Sequence, residues 1–220
     1  MKTEQHILQT AFRLFLGKGF SDISTNEIIR EAGTTKGGFY YCFKSREDLV
    51  NQVIETYLLP YYLQPITVMH QAWENKRADV STKTLLWEAF FAPQRFRQYQ
   101  EFVGMDIAFR DFYFLLYEGM KKYEEVQRYF AENTKEREIC LRRILERGKE
   151  RKEIAAEVDI DSCVMMTLAM QDGILALKVL DDSIDDEEKY RRMEEQIWRD
   201  IAAQDAYLKY LHGGVNSAVS

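Results

Sequence analysis

Cysteine, proline and histidine are all scarce, with 3 of each in 220 residues. Cys42, Cys140 and Cys163 lie far apart without a C-x-x-C step, which argues against a zinc ribbon or a dithiol centre and leaves packing as their ordinary role, with redox sensing at Cys42 the one alternative left open. His6, His70 and His212 are equally scattered, so spacing assembles neither a metal constellation nor a Ser/His/Asp set. No catalytic residue, cofactor or metal is therefore expected. Few prolines and only 11 glycines leave little turn punctuation, which together with the 30% of charged residues points to an all-α chain. No uninterrupted apolar run approaches the roughly 18 residues of a membrane span, and the opening MKTEQHILQTAF lacks a secretory pattern. A cytoplasmic chain with no membrane partner is expected. Also missing is an excess of positive charge. The net charge is −6, with residues 1–50 at +1 and the remainder at −7.

What is present is concentrated between Ser24 and Leu49. Ser24 and Glu27 form an S-x-x-E capping box that should start a helix. Ile28, Ile29 and Ala32 supply its apolar stripe, and Gly33 ends it in a left-handed conformation. Thr34 or Thr35 can cap a second helix from about Lys36 to Phe43, roughly 12 Å long at 1.5 Å rise per residue, which suits a DNA major groove. Gly37 and Gly38 cost about 1 kcal/mol each against alanine in a helix, so their presence suggests close approach to another backbone. Phe39 and Phe43 share a face and should anchor the helix. Thr34, Thr35, Lys36, Tyr40 and Tyr41 remain on the open side, where hydroxyls and a cation suit phosphates and base edges. Ser45 and Asp48 make a further box that opens the next helix. Upstream, Ile7, Leu8, Ala11, Phe12, Leu14 and Phe15 mark a supporting helix that closes at Gly17 and Gly19.

From about Thr3 to Leu49 the chain resembles the DNA-binding domain of the tetracycline-repressor (TetR) family of bacterial transcription regulators. The resemblance rests on the run AGTTKGGFYYCFKSREDL from Ala32 to Leu49, placed behind a helix that ends in a Gly-Phe step. Gly38 and Cys42 depart from the family pattern, where threonine and an aromatic or histidine are frequent. The resemblance implies DNA-contact roles for Thr25, Thr35, Lys36, Tyr40, Tyr41 and Lys44. It further implies a homodimer on a palindromic operator, a small-molecule effector, and release of the DNA when that effector binds. A weakly basic reading head predicts few phosphate contacts per subunit and a modest salt slope, a deficit that dimerisation would offset.

The expected organisation is a three-helix DNA-binding domain over residues 1–48 and a larger helical effector-binding and dimerisation domain over residues 49–220. The helix after Ser45 should run through Leu49, Val53, Ile54 and Tyr57 and break at Pro60. Between Ile66 and Gly148 aromatic residues are dense, from Trp73 onward, with Met69, Met105 and Met120 among them. Much of this is core, yet rings and methionines also suit an apolar cavity. Trp87, Phe91, Phe102, Met105, Phe109, Phe112 and Tyr113 are the candidate effector residues, and an apolar or planar ligand is implied. Nearer the carboxyl end, Val164, Leu168 and Leu175 mark one long helix, and Met193, Ile197, Ile201, Gln204 and Leu208 mark another. Val164, Leu168, Leu175, Met193, Ile197 and Ile201 are the candidate dimer interface, by resemblance to the family's two-helix dimerisation unit. The acidic run DDSIDDEE between these helices reads as a solvated loop and cap. Residues 213–220 lack periodicity and should be mobile. Two other readings stay open: a structural DNA-binding protein without an inducer, and an enzyme. The enzyme has little support, since neither an activated nucleophile nor a phosphate loop emerges.

Overall fold

A computed structural model of the chain describes residues 2–63, 66–67, 80–91, 95–184 and 187–213. Every regular element among them is helical, as the proline and glycine scarcity implied. The chain forms two compact units, one of residues 1–63 and 95–133, the other of residues 64–94 and 134–220.

The first unit begins with α1 (Lys2–Lys18), α2 (Thr25–Glu31) and α3 (Lys36–Cys42). Ile7, Ala11, Phe12 and Phe15 recur on one face of α1 and are fully buried. They meet Phe20, Ile28, Phe39, Phe43 and Leu49, which are also fully buried. Burying each such ring or aliphatic chain is worth about 1.5–3 kcal/mol, so this small core rests on a handful of residues. Ser24 caps α2 by accepting from the Glu27 N–H at 3.2 Å. Gly33 closes it at φ +60°, with the Thr34 N–H reaching back to the Ile29 carbonyl at 3.1 Å. That long return bond satisfies an orphan carbonyl at a helix end.

After Ser45, whose hydroxyl accepts from the Asp48 N–H at 3.0 Å, α4 (Arg46–Val53) begins. The break expected at Pro60 does not occur. The chain widens into a π-helical stretch at Ile54–Leu58 and stays helical over residues 59–63. Proline removes a backbone donor and crowds the preceding turn; here the Leu59 N–H already bonds five residues back, to Ile54. A π-bulge ahead of the proline absorbs the misfit without ending the helix.

The same unit holds α5 (Arg95–Val103), then α6 (Phe109–Lys122) and the first part of α7 (Glu124–Glu150). Tyr61 is the hub of their rings, meeting Phe112 at 5.2 Å, Tyr99 at 5.6 Å and Phe96 at 5.7 Å between centroids. Most of these contacts are edge-on, the arrangement that the ring quadrupole favours. The Tyr99 hydroxyl donates to the Tyr57 carbonyl, so the buried phenol is satisfied, and burial pushes its pKa far above the usual tyrosine range.

The second unit packs Thr82–Leu86 and its π-helical continuation Trp87–Phe91 with the later part of α7, with α8 (Ile160–Leu180) and with α9 (Glu187–Ile201). Leu85, Leu86, Phe90, Leu141, Ile144, Leu145, Val164, Leu168, Trp198 and Ile201 share its core. Buried polar groups are largely matched: the Glu153 carboxylate accepts from the Thr82 N–H at 2.7 Å. The Gln171 amide donates to the Phe90 carbonyl at 3.1 Å, and Arg137 donates to the Gln171 carbonyl oxygen. The last helix was expected to run unbroken from Met193 to Leu208. It stops at Ile201 and resumes as α10 (Gln204–Gly213), because the backbone pairs there with another segment. The Ala155 N–H bonds Ile201 at 2.9 Å, and the Ala203 N–H bonds Glu153 at 3.0 Å. The acidic run contains a short 3₁₀ turn at Asp182–Ile184. Met69, Trp73 and residues 214–220 lie outside the described residues.

Candidate nucleic-acid interface

The recognition helix is built from two sequence-local devices. Thr35, not Thr34, is its N-cap, accepting from the Gly38 N–H at 3.0 Å. Phe39 and Phe43 are wholly buried and pack ring to ring at 5.5 Å. They fix which side turns outward. On that side Tyr40 is 48% exposed and Tyr41 91% exposed, while Thr35, Lys36, Gly37 and Lys44 are exposed and Thr25 and Thr34 half-buried. The eight expected DNA-contact residues, Gly37 among them for its backbone, therefore combine hydroxyls, two cations and an open backbone around one short helix.

The glycines divide the work differently from what their pairing suggested. A Cβ at Gly37 would meet only the Thr35 hydroxyl, at 3.9 Å, so its backbone faces open space. At Gly38 a Cβ would lie 2.7 Å from the Thr34 hydroxyl and 3.3 Å from that of Thr35. A side chain at Gly38 would thus crowd the Thr34 hydroxyl first and the cap hydroxyl of Thr35 second. Cys42, half-buried on this helix, is a free thiol.

Charges on this unit are partly committed. Lys18 pairs with Glu27 at 2.9 Å and Arg30 with Glu31 at 3.2 Å. The hydrogen bond from Lys18 is the main cause that holds the Glu27 carboxyl below its ordinary value. Among the described residues Lys36 and Lys44 enter no ion pair, which leaves them available to a polyanion. Asp48 also titrates low, through hydrogen bonds from Gln52 and then from the Lys44 N–H, so the amino end of α4 is tied to the end of the recognition helix.

The effector candidates are not gathered into one group within a unit. Phe109 and Phe112 are buried in the ring cluster of the first unit, where the Phe109 ring also lies tilted against Tyr113 at 5.7 Å. Phe102 is 68% exposed and Met105 half-buried. Trp87 and Phe91 belong to the second unit; Trp87 packs on its core, and the Phe91 side chain lies outside the described residues. A cleft of about 170 Å³ in the first unit is lined by other residues, among them Ile54, Glu55, Val126, Tyr129 and Glu132. Burial, then the nearby Glu55 carboxylate, raises the Tyr129 phenol.

Of the six dimer candidates three are buried and three half-buried. Val164, Leu168 and Ile201 lie in the core of their own unit, with Met193 and Ile197 packed against it, and Leu175 is half-buried. The face that α8 leaves open is another one: Met165, Met166, Leu177 and Leu180 are 67%, 64%, 50% and 77% exposed, with Ala169, Gly173 and Ala176 between them. Composition alone would let Ile160–Leu180 cross a membrane, at a mean hydropathy of 1.5. Its other face nonetheless carries Cys163, Thr167, Gln171 and Val179 into a protein core.

Fold and site together define a helix-turn-helix DNA-binding protein with a larger helical body. Residues 7–53 match the family model described as bacterial regulatory proteins, tetR family, and the amino-terminal domain of this chain is a TetR-family domain. The chain is 44% identical over 54 residues to the HTH-type transcriptional regulator AcrR of Shigella flexneri, 24% of this chain and 25% of that protein. It is 31% identical over 77 residues to the HTH-type transcriptional repressor NemR of Escherichia coli, 35% of this chain and 38% of that one. The matched stretches thus span well under half of these relatives. Over the whole length the fold resembles that of a TetR transcriptional regulator from Chloroflexus aurantiacus, with a TM-score of 0.65 at 20% identity, covering 92% of this chain and 97% of the other.

Proposed function

We propose that the chain is a transcriptional repressor that binds a palindromic operator as a homodimer and is released by a small apolar or aromatic effector. One observation carries the DNA reading: a short helix pinned by two fully buried phenylalanines presents Tyr40, Tyr41, Lys36 and Lys44 outward. Residue types that ligate phosphates and base edges occupy the open side of that helix. The repressor sign is supported by the likeness to NemR, a transcriptional repressor.

Dimerisation is assigned to the open face of α8, because small residues at Ala169, Gly173 and Ala176 permit close helix approach while the flanking methionines and leucines supply apolar area. Two recognition helices so joined would need to sit about 34–36 Å apart to enter successive major grooves. Selection of sites from random duplex DNA with the purified protein tests the reading. Enrichment of an inverted repeat supports it, and enrichment of nothing by a folded protein sinks it.

A second reading, a DNA-binding protein without an inducer, is favoured by the packing of Tyr61, Phe96, Tyr99, Phe109 and Phe112 against one another. Thermal shift against an aromatic compound library separates the two, since a ligand of the folded state raises the melting temperature.

A further inference from the structure

The turn at residues 19–23 contributes no DNA-contact candidate, yet it leads directly into the Ser24 cap of α2 and so bears on where Thr25 stands. Its backbone is held on both polar edges. From inside the helix-turn-helix, the Arg46 guanidinium donates to the carbonyls of Phe20 and, at 3.2 Å, Ile23. From α6, nearly a hundred residues away in sequence, the Glu118 carboxylate accepts from the Phe20 N–H at 2.9 Å and the Ser21 N–H at 3.1 Å. It also accepts from the Ser21 hydroxyl at 2.8 Å and from the Lys122 ammonium at 2.7 Å.

The surroundings are shaped to this contact. Gly19 adopts φ +81°, and a Cβ there would lie 2.5 Å from a Glu118 carboxylate oxygen. A Cβ at Gly119 would sit 3.5 Å from the Phe20 ring, and that ring meets Tyr123 edge-on at 5.7 Å. Burial alone would raise the Glu118 carboxyl, but hydrogen bonds from Lys122, Phe20 and Ser21 outweigh it and hold the group below its ordinary value. The charged form is therefore the one the turn selects.

We propose that Glu118 is a positioning residue for DNA recognition: from α6 it holds the α1–α2 turn in the geometry that lets the helix-turn-helix seat on a duplex. The proposal rests on the DNA-binding reading above. Both carboxylate oxygens are acceptors here, and bonds to an ionised acceptor are roughly twice as strong as neutral ones. Glutamine cannot copy the arrangement, because its amide nitrogen would face a donor. A movement of α6 that draws Glu118 away would thus loosen the turn without touching the recognition helix.

The test uses the full-length protein and its Glu118→Gln and Ser21→Ala variants. Binding is followed by fluorescence anisotropy on the inverted repeat that wild type enriches and on a scrambled duplex of equal length. Amide exchange at Phe20 and Ser21 reports the turn, and circular dichroism and mass in solution report fold and assembly. Glu118→Gln should lose about tenfold or more in operator affinity, with faster exchange at both amides, unchanged fold and mass, and unchanged affinity for the scrambled duplex. Ser21→Ala keeps both backbone bonds and should lose about threefold or less. A Glu118→Gln protein with faster exchange at those amides but wild-type operator affinity overturns the proposal. So do unchanged exchange, and loss of affinity that merely follows unfolding. Failure of wild type to enrich any repeat fails the DNA reading itself, and the exchange measurement still reports on the turn.

Discussion

Tyr41 offers a clean separation of binding from folding. Its side chain is 91% exposed, so truncation to alanine removes almost no buried area, and alanine has the higher helix propensity by a few tenths of a kcal/mol. Stability should be unchanged within about 0.5 kcal/mol. If the phenol donates to a phosphate, each subunit loses one hydrogen bond worth about 1 kcal/mol. A symmetric dimer loses two, or about 2 kcal/mol, which converts to roughly a 30-fold weaker operator complex. The phenol carries no charge, so the slope of log affinity against log salt should not move, whereas Lys36→Ala or Lys44→Ala should flatten it by about one for each phosphate left without its lysine. Anisotropy titrations at several salt concentrations, with a thermal melt alongside, measure all three quantities. The reasoning is refuted if Tyr41→Ala binds within twofold of wild type at every salt, or if its melting temperature falls by several degrees.

The neighbouring Phe39→Ala should behave in the opposite way: Phe39 is fully buried between Tyr40 and Phe43, and its loss costs about 3–5 kcal/mol. Urea unfolding should show a much lower midpoint, and preserved stability would contradict the assigned core. On the open face of α8, Met166→Glu should leave the protomer folded and halve the mass in solution, whereas Val164→Glu, which puts a charge into the core, should unfold it; a dimer that survives Met166→Glu removes this face from the interface. Acid should destabilise the protein through carboxyls held low in the fold. Glu118 and Glu153 titrate low because hydrogen bonds and neighbouring cations outweigh their burial, and Asp48 through hydrogen bonds. Their contribution is present above the ordinary carboxylate range and is lost as pH falls through their folded values. Melting temperature should therefore drop below about pH 4.5, and less steeply in Glu153→Gln; identical profiles would refute the assignment. Glu194, raised chiefly by burial despite Lys83, works with the opposite sign and at higher pH: its penalty is relieved as pH falls from its raised value to the ordinary one, before that drop begins.

The amino-terminal unit was legible in sequence wherever its determinants are local. Capping by Ser24, Thr35 and Ser45 joins residues three apart, Gly33 needs only its own φ, and Phe39 with Phe43 is a one-turn repeat. Arg46 and Glu118 were not legible. Nothing in the spacing of Phe20 and Glu118 shows that they meet, and an exposed-looking glutamate on an aromatic helix has many bland uses. Pro60 misled for a related reason: proline sets a local cost, and the π-bulge that meets it is a property of the helix packed around it. The stop at Ile201 comes from backbone bonds to residues 153–155, which no periodicity reports.

The interface proposed on α8 shows where a periodicity argument loses its power. A hydrophobic stripe identifies the buried face of a helix only when the opposite face is polar. Ile160–Leu180 is apolar nearly all round, so Val164 and Leu168 on one side and Met165, Met166, Ala169 and Gly173 on the other look alike in sequence. Packing breaks the tie. The first set lies in the core of its own unit, alongside Leu141, Ile144 and Trp198, and a residue so enclosed by its own chain has no surface left for a second copy. The second set is exposed to solvent, and an extended exposed apolar face is what the proposed dimer would cover. A helix that must be apolar for two different neighbours, one within the chain and one outside it, will read as uniformly hydrophobic. Met166→Glu and Val164→Glu therefore differ by two positions in sequence, yet one should dissociate a folded dimer and the other should abolish the fold.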